Sequence, residues 1–200
     1  PDFVDIDPDT YTIDPNLVEE KIKIYESKGK KVKAVIGVDY AGNPSDWKAL
    51  RELADKYNFQ LVNDNCHALG ASYFDDKQYA VEYADVVIQS YHPVKHITTG
   101  EGGAVLTHDP RIDEKVRRLR NHGMIKDPKE LSKHDGPWYY EINEVGYNYR
   151  IADFQCALGS SQLKKLDHFV EKRQEISKTY NETFSNVDSM KIPNNHISVE

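Results

Sequence analysis

Residues Val32–Val38 read VKAVIGV, and the turn-forming residues Gly42–Pro44 come shortly after them. A short, nearly continuous apolar run rich in Val and Ile, ended by a turn, is typical of a parallel strand that is covered on both faces. Ser45 then stands where it can cap a helix. Apolar residues follow it at spacings of three and four, at Trp47, Leu50, Leu53 and Ala54. The stretch therefore predicts a buried strand followed by an amphipathic helix.

The same alternation continues along the chain. Helical periodicity occupies Asp113–Arg120 and Phe154–Phe184, the latter as one long helix or as two helices joined near Asp167. A polar, irregular stretch at Lys126–Tyr140 predicts a surface loop. Further short apolar runs typical of strands lie at Phe59–Val62, Val86–Ile88 and Ala104–Leu106. Strands that alternate with helices predict an α/β fold with a mostly parallel sheet.

Length and composition exclude several classes of protein. A chain of 200 residues fits about one ordinary domain, and its apolar runs are far shorter than the roughly 20 residues that a membrane-spanning helix needs. The formal charge of -7 argues against nucleic acid as the main partner. Because Cys66 and Cys156 are the only cysteines and no secretory signal opens the chain, we expect a reducing cytoplasm and no disulfide scaffold.

Polar residues follow two of the predicted strands, where ligands gather in open α/β sheets. Asp64 and His67 come after the run at Phe59–Val62, and Ser90 and Lys95 come after Val86–Ile88. In addition, the glycine-rich corner at 100–103 lets the backbone approach a ligand closely before the next strand.

These residue types suit one cofactor in particular. A lysine amine forms a Schiff base with a carbonyl compound once its pKa is lowered enough to supply neutral amine. A carboxylate such as Asp64 can keep a pyridine nitrogen protonated, and a hydroxyl such as Ser90 can bind a phosphate. Lys95, Asp64 and Ser90 together therefore predict pyridoxal 5'-phosphate. Each also has a commoner explanation: a solvated lysine, a turn or helix-cap aspartate, and, for His67, a core histidine.

Other chemistries receive less support. His92 and His96 stand four apart, but Pro93 breaks the helix that would make them a metal pair, and no third ligand is evident. No metal is therefore expected. The chain carries neither a Gly-x-x-x-x-Gly-Lys-Ser/Thr loop nor a Gly-x-Gly-x-x-Gly turn after a strand, so nucleotide hydrolysis and dinucleotide redox chemistry are not predicted.

Taken in order, five segments resemble the DegT/DnrJ-type sugar aminotransferases, a branch of the fold-type I pyridoxal phosphate enzymes. They are residues 63–70, 90–95, 100–103, 120–123 and 146–150. The resemblance covers nearly the whole chain, although Asn63 stands where the family often has Glu.

The resemblance implies a three-layer α/β sandwich with a mostly parallel sheet, the large domain of a fold-type I transferase. It implies that residues 1–165 form the cofactor-binding large domain without its N-terminal portion. Residues 166–200 would be the connecting helix and the truncated start of a C-terminal small domain. We therefore expect the chain to be a fragment.

Carried over onto this sequence, the resemblance also assigns roles to single residues. Lys95 would form the Schiff base with pyridoxal phosphate, Asp64 would pair with the pyridine nitrogen, and Ser90 would contact the phosphate. His67 would lie beside the ring, near its phenolic oxygen.

Two further residues concern a partner subunit. The family's counterpart of Asn148 reaches across a two-fold interface to the neighbouring subunit's cofactor phosphate, and Arg150 would lie close by as a substrate-binding residue. The resemblance thus implies a homodimer with shared active sites.

Within the family, Val38–Pro44 and Ser90–Lys95 look closest to the 4-aminotransferases of pseudaminic acid biosynthesis. The implied substrate is a UDP-linked 4-keto-6-deoxy-N-acetylhexosamine, aminated at C4 with glutamate as the expected amino donor.

Two alternatives remain open at this point. The first is a nucleotide-sugar dehydratase that uses the same cofactor, although the resemblance implies that such dehydratases carry His at position 95. The second is a non-catalytic regulatory protein with the same fold, against which the retention of Asp64, Ser90 and Lys95 argues.

Overall fold

A four-stranded sheet forms the centre of the chain, whose residues 1–194 are described by a computed structural model. The strands are β1 (Ala34–Val38), β2 (Gln60–Asp64), β3 (Val86–Ser90) and β4 (Gly103–Leu106), and they lie side by side in that order. The first three run parallel and β4 runs antiparallel to β3. The predicted α/β class and mostly parallel sheet are confirmed.

The register of the strands sorts their side chains onto two faces, because successive residues of a strand point to opposite sides. On one side lie Val35 and Leu61, which are partners, and Gly37 and Val87, which both partner Asn63. We call this side the covered face. On the other side Asp64 lies between its partners Val38 and Ile88, with Ile36 and Ser90 two residues away along β1 and β3. We call this side the open face.

Three helices build the hydrophobic core together with the covered face; the second and third pack against the sheet, and the first packs against the second. The three helices are α1 (Pro15–Ser27), α2 (Trp47–Tyr57) and α3 (Tyr79–Tyr83). Leu61 and Val87 have no solvent exposure and lie in one cluster with buried residues of all three helices: Val18, Ile22, Trp47, Leu50, Ala54, Tyr79 and Ala80. The apolar positions predicted for α2 therefore face the core, with Leu53 partly buried beside it.

The start of α2 differs from the prediction in one respect. Asp46, not Ser45, is the N-cap, because the Asp46 side chain accepts a hydrogen bond from the backbone N–H of Ala49. Ser45 is buried instead, and its hydroxyl donates to the carbonyl of Val38 at 3.1 Å. The helix then ends at Asn58, which adopts a left-handed conformation.

The open face corrects another expectation. β1 was predicted to be covered on both sides, but Ile36 is 59% exposed and Val38 and Ile88 are each 38% exposed. A run of Val and Ile identifies a strand with at least one buried face, and it does not reveal whether the second face is buried as well.

The second half of the chain is less compact. It contains α4 (Pro110–Leu119), a small hairpin of β5 (Met124–Ile125) and β6 (Glu141–Ile142), then α5 (Asp153–Leu163) and α6 (Leu166–Phe184). The predicted loop at 126–140 is confirmed between β5 and β6, and the long periodic stretch forms two helices. Within residues 1–194, none of the helices has the length and apolarity to cross a membrane.

The division into two domains stays a prediction. The proposed boundary after residue 165 coincides with the start of α6. Residues 195–200, the end of the predicted small-domain segment, lie outside the described residues.

Candidate functional site

The loop after β2 carries Asp64 and His67. Asp64 ends the strand, points to the open face and is half-buried, and its Oδ1 accepts the backbone N–H of Cys66 at 3.2 Å. His67 Nδ1 accepts the backbone N–H of Ala41 at 3.4 Å. Since Nδ1 is the acceptor, a neutral His67 carries its proton on Nε2, which is left to donate to a ligand.

The loop after β3 carries Ser90 and Lys95. Ser90 ends the strand on the same face as Asp64, and its hydroxyl accepts the backbone N–H of His92 at 3.4 Å. Lys95 is half-buried, and its own N–H donates to the carbonyl of His92 at 2.9 Å, which closes a turn. The Lys95 loop is thus folded back onto the end of its strand.

Helix α6 lies against both loops. The Arg173 guanidinium donates to the backbone carbonyl of Lys95 at 3.2 Å. One helical turn earlier, Val170 lies so close to Gly70 that a Cβ at Gly70 would be 3.0 Å from Val170 Cγ2. α6 is therefore in contact with the segments that carry His67 and Lys95.

The glycine-rich corner before β4 is packed tightly. A Cβ on Gly103 would lie 2.5 Å from the carbonyl oxygen of Gln89, a distance that real Cβ atoms do not reach. Glu101 lies 3.8 Å from His92 Nε2, measured to its Oε1. Because Gly103 has no side chain, the corner can approach the backbone of β3 this closely.

Burial shifts the pKa of two titratable groups, one in each of these loops. Burial raises the pKa of the Cys66 thiol to about 12, and Asp64 adds to the rise while the charge of Lys95 opposes it. Burial lowers the pKa of His96, and electrostatic interactions with Arg173, His67 and Lys95 lower it further. Asp64 and Lys95 thus both act electrostatically on Cys66.

Asn148 and Arg150 form a second cluster, around Asn121. Asn148 pairs with Asn121 as an isolated antiparallel bridge, and the Arg150 guanidinium donates to the Asn121 side chain. Tyr147 and Tyr149 stack face to face, with their ring centroids 4.9 Å apart. Asn148 and Arg150 are exposed, and Arg150 lines an open cavity of about 940 Å³ beside β3, β4 and α5.

The side chains at and just after the strand ends fit pyridoxal phosphate. They offer a carboxylate, an imidazole, a hydroxyl and an amine, supplied by Asp64, His67, Ser90 and Lys95 from two neighbouring strands. A metal site has less support, because residues 1–194 contain no group of three or more His, Cys, Asp or Glu side chains that could hold an ion.

Sequence reasoning missed two residues near this site. Arg173 contacts the Lys95 loop from a helix 78 positions away in sequence, and no local pattern indicates such a contact. Asp39 directly follows β1 and is fully buried. Only its position as a polar residue directly after an apolar strand could have pointed to Asp39 in the sequence.

Comparison with known proteins gives consistent results. The profile of the DegT/DnrJ/EryC1/StrS aminotransferase family matches residues 1–199. A UDP-4-amino-4,6-dideoxy-N-acetyl-beta-L-altrosamine transaminase of Campylobacter jejuni is 42% identical over 183 residues, which are 92% of this chain and 45% of that protein.

Solved structures share the fold. PseC of Helicobacter pylori, an aminotransferase involved in the biosynthesis of pseudoaminic acid, superposes with a TM-score of 0.80 at 34% identity, over 94% of this chain and 46% of that chain. The aminotransferase TlmJ of Streptoalloteichus hindustanus gives a TM-score of 0.85 at 29% identity, over 100% and 50% of the respective chains. The chain thus spans about half the length of the relatives that it matches.

Proposed function

The chain belongs to the DegT/DnrJ/EryC1/StrS aminotransferase family, and we propose that the protein transfers an amino group to C4 of a UDP-linked 4-keto-6-deoxy-N-acetylhexosamine with pyridoxal phosphate. One observation carries this proposal: Asp64 and Ser90 project from adjacent strand ends onto the open face, and the Lys95 loop follows directly. From strand spacing and rise, the Cα atoms of Asp64 and Ser90 are about 8 Å apart. An aromatic ring and its phosphate arm can lie between them.

The four side chains have complementary tasks in this proposal. Pyridoxal phosphate, when bound, withdraws electrons from the carbon next to the amine nitrogen, so that a proton can leave that carbon. Lys95 would hold the cofactor through its aldehyde carbon, and its free amine would take up and return that proton. Asp64 would accept a hydrogen bond from the pyridine N–H and so keep the nitrogen protonated.

Ser90 and His67 orient the ring. The Ser90 hydroxyl would donate to the phosphate. His67 would donate from Nε2 to the phenolic oxygen, because the Ala41 N–H occupies its Nδ1.

The substrate assignment is supported by the relatives. The Campylobacter jejuni protein is named for a UDP-linked 4-amino-4,6-dideoxy sugar, and the Helicobacter pylori structure is titled for pseudoaminic acid biosynthesis. Val38–Pro44 and Ser90–Lys95, the segments that look most like this branch, flank the open face on β1 and β3. We propose glutamate as the amino donor.

A homodimer with shared sites is part of the proposal. The segment that carries Asn148 and Arg150 is exposed and rich in large apolar side chains: Trp138 is 70%, Val145 91% and Tyr149 71% exposed. An exposed apolar patch of this kind favours burial against another subunit. The two free thiols are compatible with the cytoplasm as the location.

The covalent role of Lys95 can be tested chemically. The intact protein is mixed with pyridoxal phosphate, reduced with borohydride and digested, and the peptide containing Lys95 should carry the mass of one pyridoxyl phosphate group. Lys95→Ala should lose this label, while Lys48→Ala, at an exposed position on α2, should retain it. Labelling elsewhere with an unmodified Lys95 peptide would rule out the assignment.

The substrate class needs a separate measurement. With glutamate as donor, the amine should form faster from a UDP-linked 4-keto-6-deoxy-N-acetylhexosamine than from a dTDP-linked 4-keto sugar. Equal rates would remove the UDP-sugar assignment and leave the transaminase assignment in place. Loss of a sugar hydroxyl without amination would indicate the dehydratase instead.

A further inference from the structure

Asp39 is a buried carboxylate for which the proposed chemistry has no direct use. It follows the last residue of β1, has no solvent exposure, and lies on the side of the helices. Its Oδ1 accepts hydrogen bonds from the backbone N–H of Ser45 at 3.0 Å and from Trp47 Nε1 at 2.8 Å. Its Oδ2 accepts from Asn63 Nδ2 at 3.1 Å, Asn65 Nδ2 at 3.0 Å and the Tyr79 hydroxyl at 2.7 Å.

Such a carboxylate is poorly explained by stability alone. Burial raises the pKa of Asp39, although the hydrogen-bond donors around it partly offset the rise. Replacing buried charged groups by apolar residues of similar volume is often neutral or even stabilising. A carboxylate surrounded by donors does, however, fix the geometry of every group that donates to it.

The hydrogen bonds continue beyond Asp39 to the third strand. Asn65 Oδ1 accepts from Gln89 Nε2 at 3.4 Å, and the Tyr91 hydroxyl donates to Gln89 Oε1 at 3.0 Å. We call Asp39, Asn63, Asn65, Tyr79, Gln89 and Tyr91 the strand-end network. It connects side chains at the carboxyl ends of all three parallel strands.

Members of the network alternate in sequence with the proposed cofactor residues. Asn63 and Asn65 stand on either side of Asp64, and Gln89 and Tyr91 stand on either side of Ser90. Neighbouring residues of a strand point to opposite faces. The network therefore fixes, from the covered side, the two backbone segments that present Asp64 and Ser90 on the open face.

We propose that Asp39 is a positioning residue, which sets the distance and direction of Asp64 and Ser90 toward the cofactor through the strand-end network. This inference rests on the proposed function. Its physical basis is that a displacement of about 1 Å in a supporting residue can cost about 100-fold in a reaction that depends on orientation.

Asp39→Asn is the variant of choice, because it keeps the size of the side chain. Asn63 Oδ1 is buried without a hydrogen-bond partner, so rotation of the Asn63 amide gives the introduced N–H₂ one acceptor. We expect the dissociation constant for pyridoxal phosphate to rise about 10- to 100-fold. We also expect the pH midpoint of the bound cofactor's visible absorbance to shift, because Asp64 no longer holds the ring nitrogen in the same geometry.

Val87→Ala is the matched control. Val87 is fully buried on the covered face of β3, two residues before Gln89, and it is apolar. The control should lower the melting temperature while leaving the absorbance midpoint and the dissociation constant unchanged. If Asp39→Asn also leaves both unchanged, or if Val87→Ala changes them equally at a comparable melting temperature, Asp39 is only structural and the inference is wrong.

Two further outcomes are decided by the same measurements. If Asp39→Asn does not fold, Tyr79→Phe takes its place, because it removes one donor to Asp39 and keeps the ring in the core. A folded Tyr79→Phe with an unchanged pH midpoint of the absorbance and an unchanged dissociation constant would overturn the inference. If the unaltered protein shows no visible absorbance with pyridoxal phosphate, the proposed function fails and the inference fails with it. Normal binding by the unaltered protein and by Asp39→Asn removes the inference alone.

Discussion

The two faces of the sheet are built from similar residues and differ in what surrounds them. On the covered face, Leu61 and Val87 have no exposure and belong to one core cluster with residues of three helices. On the open face, Ile36 is 59% exposed, and Asp64 and Ser90 stand at the strand ends. One side of the sheet is thus buried in the core of this chain, and the other side presents the residues of the candidate site.

The largest effect is expected from truncating Trp47, a fully buried side chain of α2 that packs against the covered face. Trp47→Ala should lower the free energy of unfolding by about 3–5 kcal/mol, because it leaves a cavity and removes a donor to Asp39. Denaturant unfolding measures the change. Trp47→Phe should cost less, and a loss below about 1 kcal/mol in Trp47→Ala would show that the core is not packed as described.

Gly37 allows a test of crowding on the same face. A Cβ at this position would lie 2.9 Å from Trp47 Cη2, and Trp47 is fully buried, so Gly37→Ala should cost about 1–3 kcal/mol. The unfolding free energies of the single and double variants measure the effect. In the Trp47→Phe background the cost should shrink, and purely additive losses would contradict direct contact between the two positions.

The open face should respond weakly to a comparable change. Ile36→Ala removes an exposed side chain, and the free energy of unfolding should fall by less than about 1 kcal/mol. A loss above about 2 kcal/mol, measured by the same denaturant unfolding, would mean that another part of the protein or another subunit covers this face.

The smallest expected effect is the pH dependence of stability that His96 causes in the loop after β3. The pKa of His96 is lowered in the folded protein, chiefly by burial, so the unfolded chain binds a proton more readily. Stability is therefore retained above the unfolded pKa of about 6.5 and falls as the pH drops through the window between that value and the folded pKa.

The measurement is the unfolding free energy as a function of pH. His96→Asn should flatten the part of the slope that lies just below pH 6.5, while His134→Asn, at an exposed position of the 126–140 loop, serves as the control. An identical slope in the unaltered protein and in His96→Asn would show that His96 does not contribute.

Local patterns predicted much of the fold. The spacing of Trp47, Leu50 and Ala54 identified the buried side of α2, and short apolar runs identified the strands to within a few residues. Local patterns did not give the antiparallel direction of β4 or the exposure of Ile36, because both depend on what packs beside the strand. Ser45 and Asp46 are both good helix caps, and only the fold selects between them.

The candidate site was only partly accessible to sequence reasoning. The residues at strand ends, Asp64 and Ser90, follow directly from the pattern of apolar runs, and the structure puts them on one face. The sequence did not reveal the strand-end network, because the donors to Asp39 come from five positions between 45 and 79. No spacing in the sequence indicates such a convergence. The roles proposed for Asn148 and Arg150, beside a proposed second subunit, rest on the resemblance to the family and not on a local pattern.

The hydrogen bond between Arg173 and the carbonyl of Lys95 has a mechanical consequence. An α-helix of 19 residues such as α6 tilts largely as a rigid rod of about 28 Å. A tilt of α6 therefore moves Arg173 relative to the Lys95 carbonyl. Any event that reorients α6 thus acts on the backbone of the loop that carries Lys95, even when the sheet itself does not move.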